Sequence, residues 1–232
     1  MAFQFKKFKL EDGQTAMKLG TDAIILGTWI NIQDSKEVLD IGSGCGIISL
    51  ILAQRFQNCK ITAIEIDPFA FQDLVININA SPWQNSINAI HADIIDYSFD
   101  KKFDWIVSNP PFFDSDQSII TSSRKLARQK KSLTPEILFE KAAHILNSEG
   151  TLAIIYPYSQ RFEMITKALL YDLFLVDELQ IKDVDESLFK RCIFQFRKIK
   201  PKIATLQTLV LKQTDGSYTQ EFQNLSQDFY LD

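Results

Sequence analysis

The segment Asp40-Ile41-Gly42-Ser43-Gly44-Cys45-Gly46 constrains this chain more than any other. Glycine is scarce, eight residues in 232, yet three fall within five positions, directly after an apolar run and before a helical pattern that starts at Ile47. Glycines at a strand-to-helix turn permit a tight bend. They also remove the Cβ atoms that would hold a ligand away from the backbone and the helix N-terminus. A turn that needs a positive φ accounts for one glycine but not for this cluster, so a small ligand is expected across the loop. A dinucleotide fingerprint G-x-G-x-x-G would need glycine where Ile47 stands, and a phosphate loop would need Gly-Lys-Ser/Thr, which is absent.

From about residue 37, short β-rich runs alternate with longer helical patterns, the mark of strand and crossover-helix units that build a mostly parallel sheet. The fold class is therefore α/β. Strands are predicted over 37–41, 60–65, 87–91, 103–108 and 151–156, and helices over 47–56, 68–80 and 135–146. Pro68 and Pro135 sit in first turns, where a helix tolerates proline, and Gly150 is read as closing the last of these helices. A further helix over 161–170 and strands over 192–196 and 206–211, near a sheet edge, complete the pattern. An extended Phe/Lys segment and a helix over about 15–29 precede it. No repeat, low-complexity tract or Pro/Gly/Ser linker interrupts the chain. One domain over 1–232 is expected, with 1–30 as an N-terminal extension, 31–200 as the core and 201–232 as a C-terminal strand and tail.

Several classes are set aside. Apolar stretches such as 46–53 fall far short of the roughly 20 residues a membrane span needs. At the start, Lys6, Lys7 and Lys9 are threaded between Phe3, Phe5, Phe8 and Leu10, unlike a secretory leader. A cytoplasmic protein with no membrane partner is expected. Three cysteines, Cys45, Cys59 and Cys192, form no C-x-x-C pair, and only His91 and His144 are available, so neither a disulfide framework nor a metal centre is expected.

The second strand ends in Glu65-Ile66-Asp67, placing Glu65 nineteen residues beyond Gly46, where a Rossmann-like sheet returns to the ligand crevice. A carboxylate there can accept both hydroxyls of a ribose. Asp67 is the fallback, with capping of the helix from Pro68 as its simpler role. Asp93 closes the third strand and could accept from an adenine amino group, although helix capping or loop solvation explains it as simply. His91 has no partner nucleophile and reads as packing.

The fourth strand stops at Asn109-Pro110-Pro111-Phe112. Two prolines cannot continue a sheet ladder, and they hold the backbone rigid at the strand's carboxyl end. The segment resembles the N-P-P-[YF] motif of methyltransferases that act on exocyclic amino groups of bases or on a glutamine amide. The glycine loop, D-x-G-x-G-x-G, resembles the first motif of S-adenosylmethionine-dependent methyltransferases. The resemblance implies the class I methyltransferase fold, a Rossmann-like, mostly parallel seven-stranded sheet with helices on both faces and an antiparallel edge strand. It implies S-adenosylmethionine as cofactor, held by Asp40, Gly42, Gly44, Gly46, Glu65, Asp93 and Asn109. The lone pair of such an amino group is delocalised, so the nitrogen is a poor nucleophile until its N–H bonds are directed at acceptors. Asn109 Oδ1 and the Pro110 carbonyl would supply these, and Phe112 would stack on the base.

Net charge is −4, which argues against a generic polyanion binder. Yet residues 1–10, 124–131 and 190–202 carry three, five and six positive charges and no acid, which leaves −18 on the remaining 201 residues. If the three segments converge on one edge they form a phosphate-binding surface. The best placed is Arg124, Lys125, Arg128, Lys130 and Lys131, about a dozen residues after Asn-Pro-Pro-Phe.

The resemblance narrows over nearly the whole chain. Residues 14–23, Ser81-Pro82-Trp83, Ser108 to Phe113, Arg124-Lys125-Leu126-Ala127-Arg128 and Asp228-Phe229-Tyr230-Leu231 are similar to the bacterial tRNA (adenine-N6) methyltransferases that modify adenine 37 beside the anticodon of valine tRNA. That family implies a tRNA partner and cofactor contacts from Lys18, Gly20 and Thr21, with the N-terminal extension packed over the cofactor; a monomer is expected. Gln129 stands where the family commonly has His or Tyr. Ribosomal-RNA guanine-N2 and release-factor glutamine methylation share the Asn-Pro-Pro motif and stay open on the residues alone. So does a non-catalytic RNA-binding protein on the same fold.

Overall fold

The computed structural model describes residues 2–15, 20–33, 35–111 and 133–230. A short antiparallel hairpin, β1 (Ala2–Gln4) and β2 (Lys9–Glu11), precedes α1 (Thr21–Trp29). Then β3 (Glu37–Ile41), α2 (Ile47–Arg55), β4 (Lys60–Glu65), α3 (Pro68–Ala80), β5 (Ile87–His91) and β6 (Phe103–Ser108) alternate. The second half holds α4 (Pro135–Ile145), β7 (Leu146–Pro157), α5 (Arg161–Leu169), β8 (Phe174–Lys182), β9 (Arg191–Arg197), β10 (Thr205–Val210) and α6 (Gln220–Ser226).

Local chemistry sets these boundaries. Asp67 caps α3 by accepting from the Phe69 and Ala70 amides, with Pro68 in the first turn, and the Thr134 hydroxyl does the same for Ile137 ahead of Pro135. Strand residues alternate between two cores. Val38, Ala63, Val107 and Ile155 pack with the hairpin, α1, α2 and α3 on one face of the sheet. Leu39, Ile64, Ile106 and Ile154 pack with α4 and α5 on the other.

Among the described residues the sheet has eight strands in the order β10-β8-β9-β7-β6-β3-β4-β5, and β9 runs antiparallel to both its neighbours. The α/β class with a mainly parallel sheet is as expected; two details are corrected. The sheet has eight strands rather than seven, because β10 adds parallel to β8. The antiparallel strand is not at the margin: Cys192 to Phe196 are buried on both faces, so β9 lies between β7 and β8.

Three local expectations also shift. The first helix starts at Thr21, and Thr15 lies outside any helix or strand. Gly150 lies inside β7, where a Cβ would come within 2.5 Å of Leu146 Cδ2 and 3.0 Å of the Phe103 carbonyl oxygen. β8 is not among the strands predicted from the sequence, where Asp177 and Glu178 break the apolar pattern and would be expected to face solvent. Instead Glu178 is buried, and Arg161 Nε and Nη2 donate to its two oxygens at 2.6 and 2.7 Å.

Candidate functional site

β3 is flanked by β4 on one side and β6 on the other, so the order of the parallel strands reverses there, and ligands in such sheets bind outside the carboxyl ends at that point. Register brings those ends level: Ile41 pairs with Ile64 and with Ser108, and Glu65 with His91. Residues 42–46, 65–67, 92–93 and 109–110 therefore leave the sheet along one edge. The Ser108 hydroxyl donates to the Ile41 carbonyl at 2.9 Å and fastens the β6 end to the β3 end.

The glycine loop is built by all three glycines in the left-handed region, at φ 67° for Gly42, 56° for Gly44 and 88° for Gly46. A Cβ at Gly46 would stand 2.6 Å from Leu74 Cδ1, whereas one at Gly42 would enter open space. The Gly44 amide donates to Glu65 Oε2 and the Asp67 amide to Oε1, both at 2.8 Å. Glu65 is thus fixed against the loop while each oxygen retains a further acceptor site. Asp40 is fully buried; Ser49 Oγ donates to its Oδ2 at 2.7 Å, and Oδ1 has no partner among the described residues. Burial pushes its carboxyl up to about 7. Burial likewise pushes the Cys45 thiol up to about 12, which makes it a poor nucleophile.

At the end of β6, Asn109 Oδ1 is shielded from solvent and likewise without a partner among the described residues, and Pro110 behind it is buried. Asp93 Oδ1 accepts from the Ile95 amide at 2.9 Å, a turn contact of the kind its simpler reading requires. His91 stacks on Phe71 with ring centroids 4.9 Å apart, and its Nε2 lies 3.1 Å from the Ile66 carbonyl oxygen. Gly20 is the N-cap of α1 and Thr21 its first residue. The first turn is tied to the same edge because Arg191 Nε donates to Asp22 Oδ2 at 2.9 Å. Lys18, Phe112, Arg124, Lys125, Arg128, Lys130 and Lys131 lie outside the described residues.

The basic run 190–202 does not sit on one edge. β9 runs antiparallel, so Arg191 pairs with Pro157 at the site end while Arg197 pairs with Thr151 toward the other. At the site end Lys190 is ion-paired with Asp183 and Arg191 with Asp22. Toward the far end Lys198 Nζ donates to the Leu146 carbonyl at 2.8 Å. Among the described residues no group of three or more His, Cys, Asp or Glu is placed to hold a metal, and no helix is long and apolar enough to cross a membrane. Sequence reasoning missed Asp73 and Asn77, which tie residues 11–15 and the Cys45 carbonyl to α3. The available signal was two polar residues one turn apart in the buried row Ala70, Leu74, Ile78.

The group these features fit needs two things: open space against a glycine loop and polar partners for orphaned acceptors. Both are present at Gly42, Asp40 and Asn109. Residues 16–180 match the family model of the methyltransferase small domain. A protein of Photorhabdus laumondii named tRNA1(Val) (adenine(37)-N6)-methyltransferase is 37% identical over 99% of this chain and 95% of its own length. One of the same name from Flavobacterium johnsoniae is 34% identical over 99% of both. Among solved structures, a protein described as a predicted O-methyltransferase from Agrobacterium tumefaciens superposes with a TM-score of 0.67 at 17% identity, covering 89% of this chain and 96% of that one. A precorrin-6y C5,15-methyltransferase from Geobacter metallireducens does so with 0.55 at 16%, covering 83% and 94%. At such identities the structures show a shared fold and no more.

Proposed function

Because this chain belongs to the tRNA1(Val) (adenine(37)-N6)-methyltransferase family, and is an S-adenosylmethionine-dependent enzyme that methylates N6 of adenine 37 in tRNA, we propose a role for each part of its site. Gly42, Gly44 and Gly46 offer backbone to the cofactor, Glu65 accepts from its ribose hydroxyls, and Asp40 and Asp93 supply further acceptors. Lys18, Gly20 and Thr21 belong to the same pocket. Bound there, S-adenosylmethionine supplies an electrophilic sulfonium methyl group.

What remains for the chain is to orient a poor nucleophile. The observation that carries this reading is Asn109 Oδ1, a shielded acceptor with no partner among the described residues. Leaving such a group unpaired costs about 1–3 kcal/mol, a cost recovered when the substrate's amino group donates to it. Asn109 Oδ1 and the Pro110 carbonyl accept the two amino hydrogens and bend the nitrogen toward tetrahedral geometry with its lone pair exposed. Phe112 stacks on the adenine, which is turned out of a loop that stacks it poorly. The methylated nitrogen loses its proton to water without a dedicated base.

Arg124, Lys125, Arg128, Lys130 and Lys131 hold the tRNA backbone. The chain acts as a monomeric, single-domain cytoplasmic enzyme. Separate incubations of tRNA lacking the modification, ribosomal RNA and release factor with labelled S-adenosylmethionine, followed by hydrolysis and identification of the methylated product, test the assignment. N6-methyladenosine from tRNA is expected, and methylguanosine from ribosomal RNA, or a methylated release factor, would overturn it.

A further inference from the structure

Residues 11–15 have no regular ladder beyond β2, yet Asp73 and Asn77 of α3 hold them through several side-chain hydrogen bonds. Asp73, almost fully buried on α3, accepts at a single oxygen, Oδ2, from the Gln14 amide at 2.9 Å, the Thr15 amide at 2.8 Å and the Thr15 hydroxyl at 2.9 Å. One turn on, Asn77 accepts from the Glu11 amide at 2.7 Å and donates to the Glu11 carbonyl at 2.7 Å. Asn77 Nδ2 also donates to the Cys45 carbonyl at 2.8 Å, inside the glycine loop. Between these residues Leu74 fills the space beneath Gly46. Thr15 Cγ2 lies 3.8 Å from where a Gly44 Cβ would stand, and Gly44 is the residue whose amide is bound by Glu65.

We propose that Asp73 and Asn77 are positioning residues for cofactor binding, which fasten residues 11–15 to the glycine loop so that the two form one wall set before the cofactor arrives. The proposal rests on the reading of that loop as the S-adenosylmethionine site. Apolar side chains in the same row would bury as much surface. Only directional bonds fix the register of a segment that has no ladder of its own against a loop, and Asn77 reaches both with one amide. A wall ordered in advance costs nothing to order on binding, so the cost of losing the clasp appears in affinity.

The test is calorimetric titration of S-adenosylmethionine into the full chain and its variants, with steady-state kinetics on unmodified tRNA. When the hydrogen-bonding partners of metal ligands are removed, the loss is typically about 10- to 100-fold. Asp73→Asn and Asn77→Asp are expected to raise the Kd for S-adenosylmethionine about tenfold. Thr15→Val, which deletes one hydroxyl bond, should raise it about threefold, and Thr15→Ser should restore it. KM for the cofactor rises in step, while KM for tRNA and kcat at saturating cofactor stay within about twofold, the pattern of lost ground-state binding. A merely structural role would lower the melting temperature and leave the Kd of the folded protein unchanged, and that result overturns the proposal. Should Asp73→Asn fail to fold, an unchanged Kd in Thr15→Val overturns it in the same way. Wild-type protein that does not bind S-adenosylmethionine would instead sink the reading of the loop itself.

Discussion

The two halves of the sheet treat buried polar groups in opposite ways. In the half made of β8, β9 and β10, Glu178 is buried with both oxygens occupied by Arg161 and a further bond from Gln180 Nε2 at 2.8 Å. In the half made of β3 to β6, Asp40 Oδ1 and Asn109 Oδ1 are buried with no partner among the described residues. A buried acceptor left unpaired is a standing cost, and a satisfied ion pair is a means of holding one arrangement. The difference teaches that the first half is closed by its own side chains, while the second keeps acceptors for the ligands proposed above.

Breaking the finished half should have the largest effect on stability. Arg161→Ala strands the Glu178 carboxylate, and removing one partner of a buried pair costs about 3–5 kcal/mol. Chemical denaturation should show a loss near the lower end, because the arginine side chain is partly exposed, with the Kd for S-adenosylmethionine unchanged in the folded protein. Replacing both partners by apolar residues of similar size should recover most of the loss. If Arg161→Ala lowers cofactor affinity instead, the division between halves fails.

Asp40 sharpens the comparison through pH. Burial raises its carboxyl from 3.8 to about 7, so the stability this site contributes is full below about 4 and is lost as pH rises through about 7. In the cofactor-free protein, Asp40→Asn should remove that loss. Relative to the variant, the wild type should weaken between pH 5 and 8 by at most about 3 kcal/mol, because the loss runs at about 1.4 kcal/mol per pH unit and levels off near pH 7. Melting curves at four pH values check it, and parallel curves for the two proteins would show that Asp40 is not carrying an uncompensated charge.

The smallest effect concerns charge. Reversing Arg124, Arg128 and Lys130 should weaken tRNA binding and flatten its salt dependence while leaving the cofactor Kd intact. Reversing Lys200 and Lys202, which follow the far end of β9, should change tRNA affinity little. Equal losses from both sets in filter-binding titrations would erase the polarity of the two edges.

What was legible in the sequence follows the same line. β3 to β6 and α3 have the boundaries that the sequence predicts, because apolar runs there end at Gly, Pro or Asp with local jobs: the Asp67 cap is two residues from its amide partner. The glycine loop and Glu65 were legible because the spacing of one sheet crossover ties them. β8 was not, since Glu178 finds Arg161 only after folding, and its neighbour β9 could not be placed in the order from its own residues. Asp73 and Asn77 were hidden for the same reason: their partners in residues 11–15 lie 58 to 66 positions away. Local punctuation can be read from a sequence, whereas long-range polar closure cannot.

The central claim is that Asn109 Oδ1, the shielded acceptor at the end of β6, is where the substrate's amino group is held. Single-turnover methyl transfer to unmodified tRNA by Asn109→Ala, at saturating cofactor and beside a melting curve, tests it most directly. The account predicts a rate lower by about 10²–10³-fold, the loss found when one oriented transition-state acceptor or donor is removed, in a protein that melts no lower than wild type. A folded Asn109→Ala enzyme that transfers methyl at the wild-type rate would contradict it.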